Sequence, residues 1–272
     1  MTPSRGRLLR RVAFASLFPV LALLAPLLAA ERSWAPIPFA PDELDLAARL
    51  TPPSARHWLG TDELGRDVAS RLVHGSRVSV SAGVVACALA LFLGAALGSA
   101  AGLGGRRTDR AVLFSIDVVQ ALPALVLVAA GAAFLAPSFL TAALLIAATS
   151  WTDSARLVRA GTRRMNGAPF VEAARAAGAS RLRVVFRHVL PHALPPALAT
   201  APYVLGAAVL TEAALSFLGL GTPPPIPSWG RALADGKAIL TDAPWCVVPP
   251  AVALLLLVLS ARLLGDALAE RR

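Results

Sequence analysis

Apolar residues in this chain come in long uncharged runs rather than in short alternating stripes. A run of about 18 or more such residues is long enough to cross a membrane as a helix. The first, Val12 to Ala30, follows an arginine-rich start. It exceeds the roughly 7–15-residue apolar stretch of a signal peptide and more runs follow, so an uncleaved first helix is expected. The second, Val78 to Leu103, carries Gly94, Gly98 and Gly102 at every fourth position. That spacing leaves one helix face without side chains and predicts a close helix–helix contact. Between Asp117 and Asp153 there is no charge at all. The stretch is too long for one crossing of about 20 residues and reads as two spans turning near Pro137. A fifth run goes from about Leu194 to Gly219 and contains Glu212; the sixth, Pro244 to Leu264, has Arg262 near its end. The fold expected is all-α: a polytopic membrane protein with six transmembrane helices.

Charge fixes the orientation. The chain is 56% hydrophobic and only 15% charged, against roughly 25% charged in ordinary soluble domains. Its net charge of +10 would suit nucleic acid, but the placement says otherwise. Arg5, Arg7, Arg10 and Arg11 precede the first run; Arg106, Arg107 and Arg110 lie between the second and third; Arg156 to Arg187 crowd one later loop. Residues 31–77 balance six arginines with seven acids. Arginine in alternate loops is the positive-inside pattern, which places both termini in the cytoplasm and excludes a phosphate-binding groove. Residues 1–30 then form a tail and first helix, 31–77 a periplasmic loop, and 78–272 a five-helix core with a cytoplasmic loop at 159–192.

That cytoplasmic loop carries the most specific local signals. Pro169 suits a first helical turn, and the alanines after it favour helix. Gly178 suits the left-handed residue that ends a helix, and Ser180 can cap the next. In that second helix Leu182, Val185, Phe186 and Val189 are spaced as one apolar face, and Pro191 is expected to stop it. Two short helices thus meet at a sharp turn, offering Glu172, Ala173 and Ala174. Such an element fits a cleft in another protein, or an amphipathic helix lying on lipid; the residues by themselves leave both open.

Glu172-Ala173-Ala174, Gly178 and Leu190-Pro191 at these spacings resemble the cytoplasmic EAA loop of bacterial ABC-importer permeases. His57 to Asp67, Glu212 to Gly221 and Pro227 to Gly230 are similar to signatures of the dipeptide/oligopeptide/nickel branch, C-type subunit. The likeness runs in order from Asp45 to Ala269. It implies an inner-membrane permease whose 159–192 loop docks on a separate ATPase, with Glu172, Ala173, Ala174 and Gly178 at the contact and turn and Pro191 ending the element. The partners implied are a second homologous permease, two cytoplasmic ATPase subunits, a periplasmic solute-binding protein and membrane lipid, with peptides or a related solute as cargo. Nickel or another non-peptide solute is the alternative. No cofactor is implied on this chain; ATP and Mg would sit on the partner.

Other chemistry finds little footing. The single lysine, Lys237, is followed by Ala238, so no phosphate-binding G-K-[ST] exists, and the chain is expected not to be an enzyme. Glu212, a carboxylate inside an apolar run, is a candidate for the translocation path. Asp117 is expected near a helix N-terminus. His188 and His192 are four apart, but a helix broken by Pro191 would separate them. Cys87 and Cys246 read as packing residues. Paired inverted halves, the mark of a secondary transporter, are not evident.

Overall fold

The structure, a computed structural model, describes residues 38–270; the first apolar run, Arg5 and Arg272 lie outside the described residues. The frame is one long helix, α1 (Val68–Leu103, 36 residues), which rises ~54 Å where a bilayer's hydrocarbon is about 30 Å thick. It starts at Val68 rather than Val78 because Asp67 caps it, accepting a hydrogen bond from the Ser70 amide at 2.7 Å.

The glycine face does what its spacing predicts. It packs on α5 (Thr152–Asn166) so closely that a Cβ on Gly98 would lie 2.5 Å from the Ala155 carbonyl oxygen, and one on Gly102 1.7 Å from Thr162 Oγ1. Backbone is in the way at Gly98, so no rotamer change would relieve the clash.

The charge-free stretch is less regular than expected. Helix α2 (Arg106–Gln120) and α3 (Ala124–Phe134) meet at 87° across a break at residues 121–123. Pro123 lies in the break, where its ring disfavours helix for the residue before it. After a turn at residues 135–138, α4 (Phe139–Ser150) is capped by Ser138, whose hydroxyl accepts from the Thr141 amide at 3.0 Å. Trp151 keeps helical backbone angles (φ −78°, ψ −17°), so α4 leads directly into α5. Asp117 corrects one expectation: it sits in the last turn of α2, not at an N-terminus, and pairs with Arg156 at 3.0 Å. There the helix dipole opposes it, and the arginine on α5 compensates.

The remaining helices are α6 (Pro169–Ala176), α7 (Arg181–Leu198), α8 (Ala201–Phe217), α9 (Trp229–Gly236) and α10 (Val248–Ala269). Among the described residues two helices are long and apolar enough to cross a membrane, or four if the bent pairs α2–α3 and α7–α8 (52°) each count as one; α4 is a shorter apolar helix. No strand occurs among them, only one bridge between Thr61 and Asp67. The core is threaded on α1. Val80 shares one buried cluster with Val209, Trp229 and Leu257, and Ala86 another with Val128, Ile146 and Leu215. Outward-facing Phe92, Phe114 and Phe134 suit lipid or another subunit.

Candidate functional site

The element at residues 169–198 stands at the Leu103 end of α1. Pro169 occupies the first turn of α6 as expected. Gly178 has φ +80°, and the turn is closed by amides of Gly178 to the Arg175 carbonyl (2.9 Å) and Ala179 to the Ala174 carbonyl (3.0 Å). That pair of bonds is a Schellman termination, which needs a left-handed residue at Gly178. No atom lies within 4 Å of a Cβ built there, so glycine is required for its backbone angle and not for room. Ser180 then caps α7, accepting from the Arg183 amide at 3.4 Å.

Two expectations for α7 fail together. Pro191 does not end the helix, which runs on through Pro195 and Pro196 to Leu198. A π segment, Val184–Val189, precedes the proline, and the Leu190 amide reaches back to the Val185 carbonyl. The wider turn takes up the proline ring and its missing N–H without breaking the chain's course. It also redistributes the apolar stripe. Val184 and Val189 are buried, against Val171, Leu103 and Met165, whereas Leu182 and Phe186 are 70% and 67% exposed. With the helix unbroken, His188 and His192 share it after all; His192 Nδ1 faces the His188 carbonyl at 2.9 Å and its ring leans on Phe170. No group of three or more His, Cys, Asp or Glu suited to a metal occurs among the described residues.

The buried valines therefore fasten this element to the body, and Arg175 adds a hold on Asn166 through its carbonyl and side chain. Glu172, Ala173, Gly178 and Pro191 are exposed and Ala174 is half-buried. The outward side combines one carboxylate, small residues, and Phe170, Leu182 and Phe186 standing in the open. Apolar side chains of this size on an anchored projection mark a contact surface.

Glu212 lies elsewhere. It is 1% exposed on α8, with Oε1 accepting from Ser216 at 2.7 Å. Its Oε2 has no partner at full hydrogen-bond geometry; the Ser79 hydroxyl of α1 is the group beside it. Ser79 in turn accepts from the Trp229 amide at 3.2 Å. The carboxylate thus sits in a joint between α1, α8 and α9, apart from the 169–198 element and from the charged cavity described next.

At the Val68 end of α1 the stretch His57–Asp67 forms a buried polar knot. Asp62 Oδ1 accepts from the amides of Leu64 (2.9 Å) and Arg66 (3.0 Å), and its Oδ2 from Arg66 Nε (2.7 Å). Asp67, besides capping α1, holds His57 Nδ1 at 2.9 Å. Gly65 (φ +70°) passes so close to Asp45 that a Cβ would lie 1.7 Å from its carbonyl oxygen. Arg66, Arg71 and Arg231 converge on Asp235 at 3.5, 3.3 and 2.9 Å, beside a cavity of about 360 Å³. Sequence reasoning assigned this stretch no role. One local signal was there: Asp67 and Ser70 at cap spacing.

One helix longer than a bilayer is thick, with a polar knot at one end and an anchored contact element at the other, and further apolar helices packed along it, fits a multi-pass membrane protein. Residues 67–272 match the family of binding-protein-dependent transport system inner membrane components, and the chain belongs to that family. It is a transport subunit rather than a catalytic one. It is 38% identical over 253 residues to the dipeptide transport system permease DppC of Alkalihalophilus pseudofirmus, covering 93% of this chain and 81% of that one. It is 39% identical over 239 residues to the di/tripeptide transport system permease DppC of Pseudomonas aeruginosa (86% and 79% covered). Among solved structures, an inward-facing form of the MetNI methionine ABC transporter matches with TM-score 0.60 at 20% identity, covering 74% of this chain and 97% of that one. A crystal structure of an amino acid ABC transporter with histidines matches with TM-score 0.53 at 17% identity, covering 71% of this chain and 90% of that one. Both structural likenesses are likenesses of fold.

Proposed function

We propose that this chain is one permease subunit of an ATP-driven importer of small peptides in a bacterial inner membrane, and that residues 169–198 are its ATPase-docking element. The observation that carries the reading is the anchoring of that element: Val171, Val184 and Val189 are buried against Leu103, the last residue of α1, while Glu172, Ala173, Phe170 and Phe186 face outward. A push on the exposed side is thereby delivered to the helix that reaches the opposite face. The arginines of residues 156–187 support a cytoplasmic position for this side. The peptide cargo is supported by the names of the relatives, the partners by the family's dependence on a binding protein. A second permease and two ATPase subunits that hold ATP and Mg complete the assembly.

The test is the assembled transporter in proteoliposomes. A cysteine replacing Ala173 should crosslink to the ATPase subunit, L-Ala-L-Ala uptake should require ATP, and the chain alone should hydrolyse none. Absence of the crosslink alongside ATP-driven uptake would remove the docking assignment. Uptake of nickel in place of the peptide would select the non-peptide alternative.

A further inference from the structure

The cavity of about 360 Å³ at the Val68 end of α1 lies among residues 62–72, α9 and the start of α10. Pockets for small molecules begin at about this size. Its charged wall balances in number, Arg66, Arg71 and Arg231 against Asp62, Glu63 and Asp235, but not in pairing. Each guanidinium offers five N–H donors, and three of them share two carboxylates. Asp62 has only Oδ2 to give, since Oδ1 is taken by the amides of Leu64 and Arg66. Asp235 accepts Arg231 on one oxygen and both Arg66 and Arg71 on the other. Arg71 is nearly enclosed and also reaches the Pro41 carbonyl at 3.4 Å, so it belongs to the scaffold. Arg231 is different: its side chain is 34% exposed and it meets Asp235 through Nε, leaving its terminal nitrogens without a partner among the described residues. Across the same lining Glu63 is exposed and has no partner among the described residues. Below the charges the wall turns apolar, with Leu72, Ile239 and Pro250.

Guanidinium donors without acceptors, a carboxylate without a cation and an apolar floor, all around one small concavity, describe the complement of a zwitterion with a modest side chain. We propose that this cavity is a receiving site for a small peptide, its C-terminal carboxylate on Arg231 with Arg66 beside it, its ammonium group at Glu63 and its side chains toward Leu72 and Ile239. This rests on the peptide reading above and gives it a place on this chain. A wide, flat patch would favour a protein partner's acidic surface; a concavity of about 360 Å³ favours the free solute.

The binding test uses the full-length chain in lipid nanodiscs, with saturation-transfer NMR on the methyl signals of L-Ala-L-Ala and of its C-terminal amide. The dipeptide should bind and the amide should bind at least about tenfold more weakly, as expected for loss of a charge-assisted hydrogen bond. Arg231→Gln should erase the difference between acid and amide, and Arg231→Lys should restore part of it. Ala232→Leu, which fills the recess without touching an ion pair, should weaken both ligands and serves if Arg231→Gln fails to fold. No binding by the unaltered chain, an acid-to-amide preference unchanged by Arg231→Gln, or binding unchanged by Ala232→Leu would overturn the site; a cavity that serves a protein partner instead would give the first result. Uptake by the assembled transporter is measured in parallel. Arg231-dependent binding with no peptide uptake would leave the cavity standing and remove the import reading. Peptide uptake unchanged by Arg231→Gln, with no binding to the chain, would remove the cavity and leave the import reading.

Discussion

At the Val68 end of α1, most polar side chains of residues 57–67 are buried and hydrogen-bonded, with only His57 Nε2 left over among the buried side-chain atoms of that stretch; at the Leu103 end, outside the buried valines, polar and apolar side chains alike face outward. Asp62, Asp67 and His57 are each under 10% exposed and tied by bonds of 2.7–3.0 Å. In residues 169–187, Glu172, Leu182, Phe186 and four arginines are all open. A hydrogen-bonded polar group in a buried loop holds the backbone because any displacement strands it without a partner. An exposed one holds nothing and is available to something else. The first end is therefore built to keep its shape without help, and the second to be completed by contact. Substitutions should sort accordingly: those at the first end damage the chain, those at the second damage what the chain does with its partners.

Two left-handed glycines give the largest contrast. Gly65 and Gly178 have nearly the same φ, +70° and +80°, yet a Cβ at Gly65 meets the Asp45 carbonyl oxygen at 1.7 Å and at Gly178 meets nothing within 4 Å. Gly65→Ala should therefore combine the left-handed penalty with overpacking against backbone and destabilise by about 2–5 kcal/mol. Thermal aggregation of the purified chain should begin at clearly lower temperature. Gly65→Ala with an unchanged midpoint would show that the 45–67 loop yields easily, and the contrast between the ends would collapse. Asp67→Ala comes next. It removes the α1 cap and the His57 partner together, at about 1–3 kcal/mol, with protease sensitivity in residues 45–67 as the second readout.

Gly178→Ala should be milder, roughly 1–2 kcal/mol, because only the angle is strained. Its effect on the assembled transporter should exceed its effect on the melting of the isolated chain: ATP-driven uptake falls while membrane level holds. An equal loss of level and uptake would mean that the turn serves folding alone.

What the chain's pattern revealed follows the same division between local and distant causes. The glycine seam, the Gly178 turn and the Ser180 cap are set by residues within one or two helical turns, and each reads directly. The 57–67 knot depends on Asp235 and on Trp245, whose indole N–H donates to the Thr61 carbonyl at 3.1 Å, both brought in from far along the chain, so its tightness has no signature in the stretch itself. The apolar face of α7 was misplaced for a different reason. A stripe spaced at 3.6 residues assumes a regular turn, and the π segment before Pro191 comes round more slowly, so Val189 turns inward while Leu182 and Phe186 stay out. Pro191 was the signal for that distortion, read instead as a stop. The break at residues 121–123 had Pro123 to announce it, but an uninterrupted apolar composition masked the change of direction.

Glu172→Lys should have the smallest effect on the chain and is the sharpest test of its outward end. The residue lies in the first turn of α6, where a carboxylate is mildly favoured by the helix dipole and a lysine mildly disfavoured, a difference of about 0.3–1 kcal/mol in each direction at an exposed position. It has no side-chain partner among the described residues, so no buried group is stranded by the change. Melting of the isolated chain and its level in the membrane should stay close to those of the unaltered protein. Docking is another matter, because reversing a charge at a contact acts on encounter and register, and like charges brought together there are strongly opposed. Binding-protein-stimulated ATP hydrolysis in the complete transporter should fall several-fold, with recovery at lower affinity if the ATPase subunit is supplied in excess. Glu172→Gln, which keeps the shape and removes only the charge, should fall between the two. If Glu172→Lys leaves stimulated hydrolysis unchanged while Gly178→Ala lowers it, the contact is made by Phe170, Leu182 and Phe186, and the carboxylate is a bystander on an apolar docking surface.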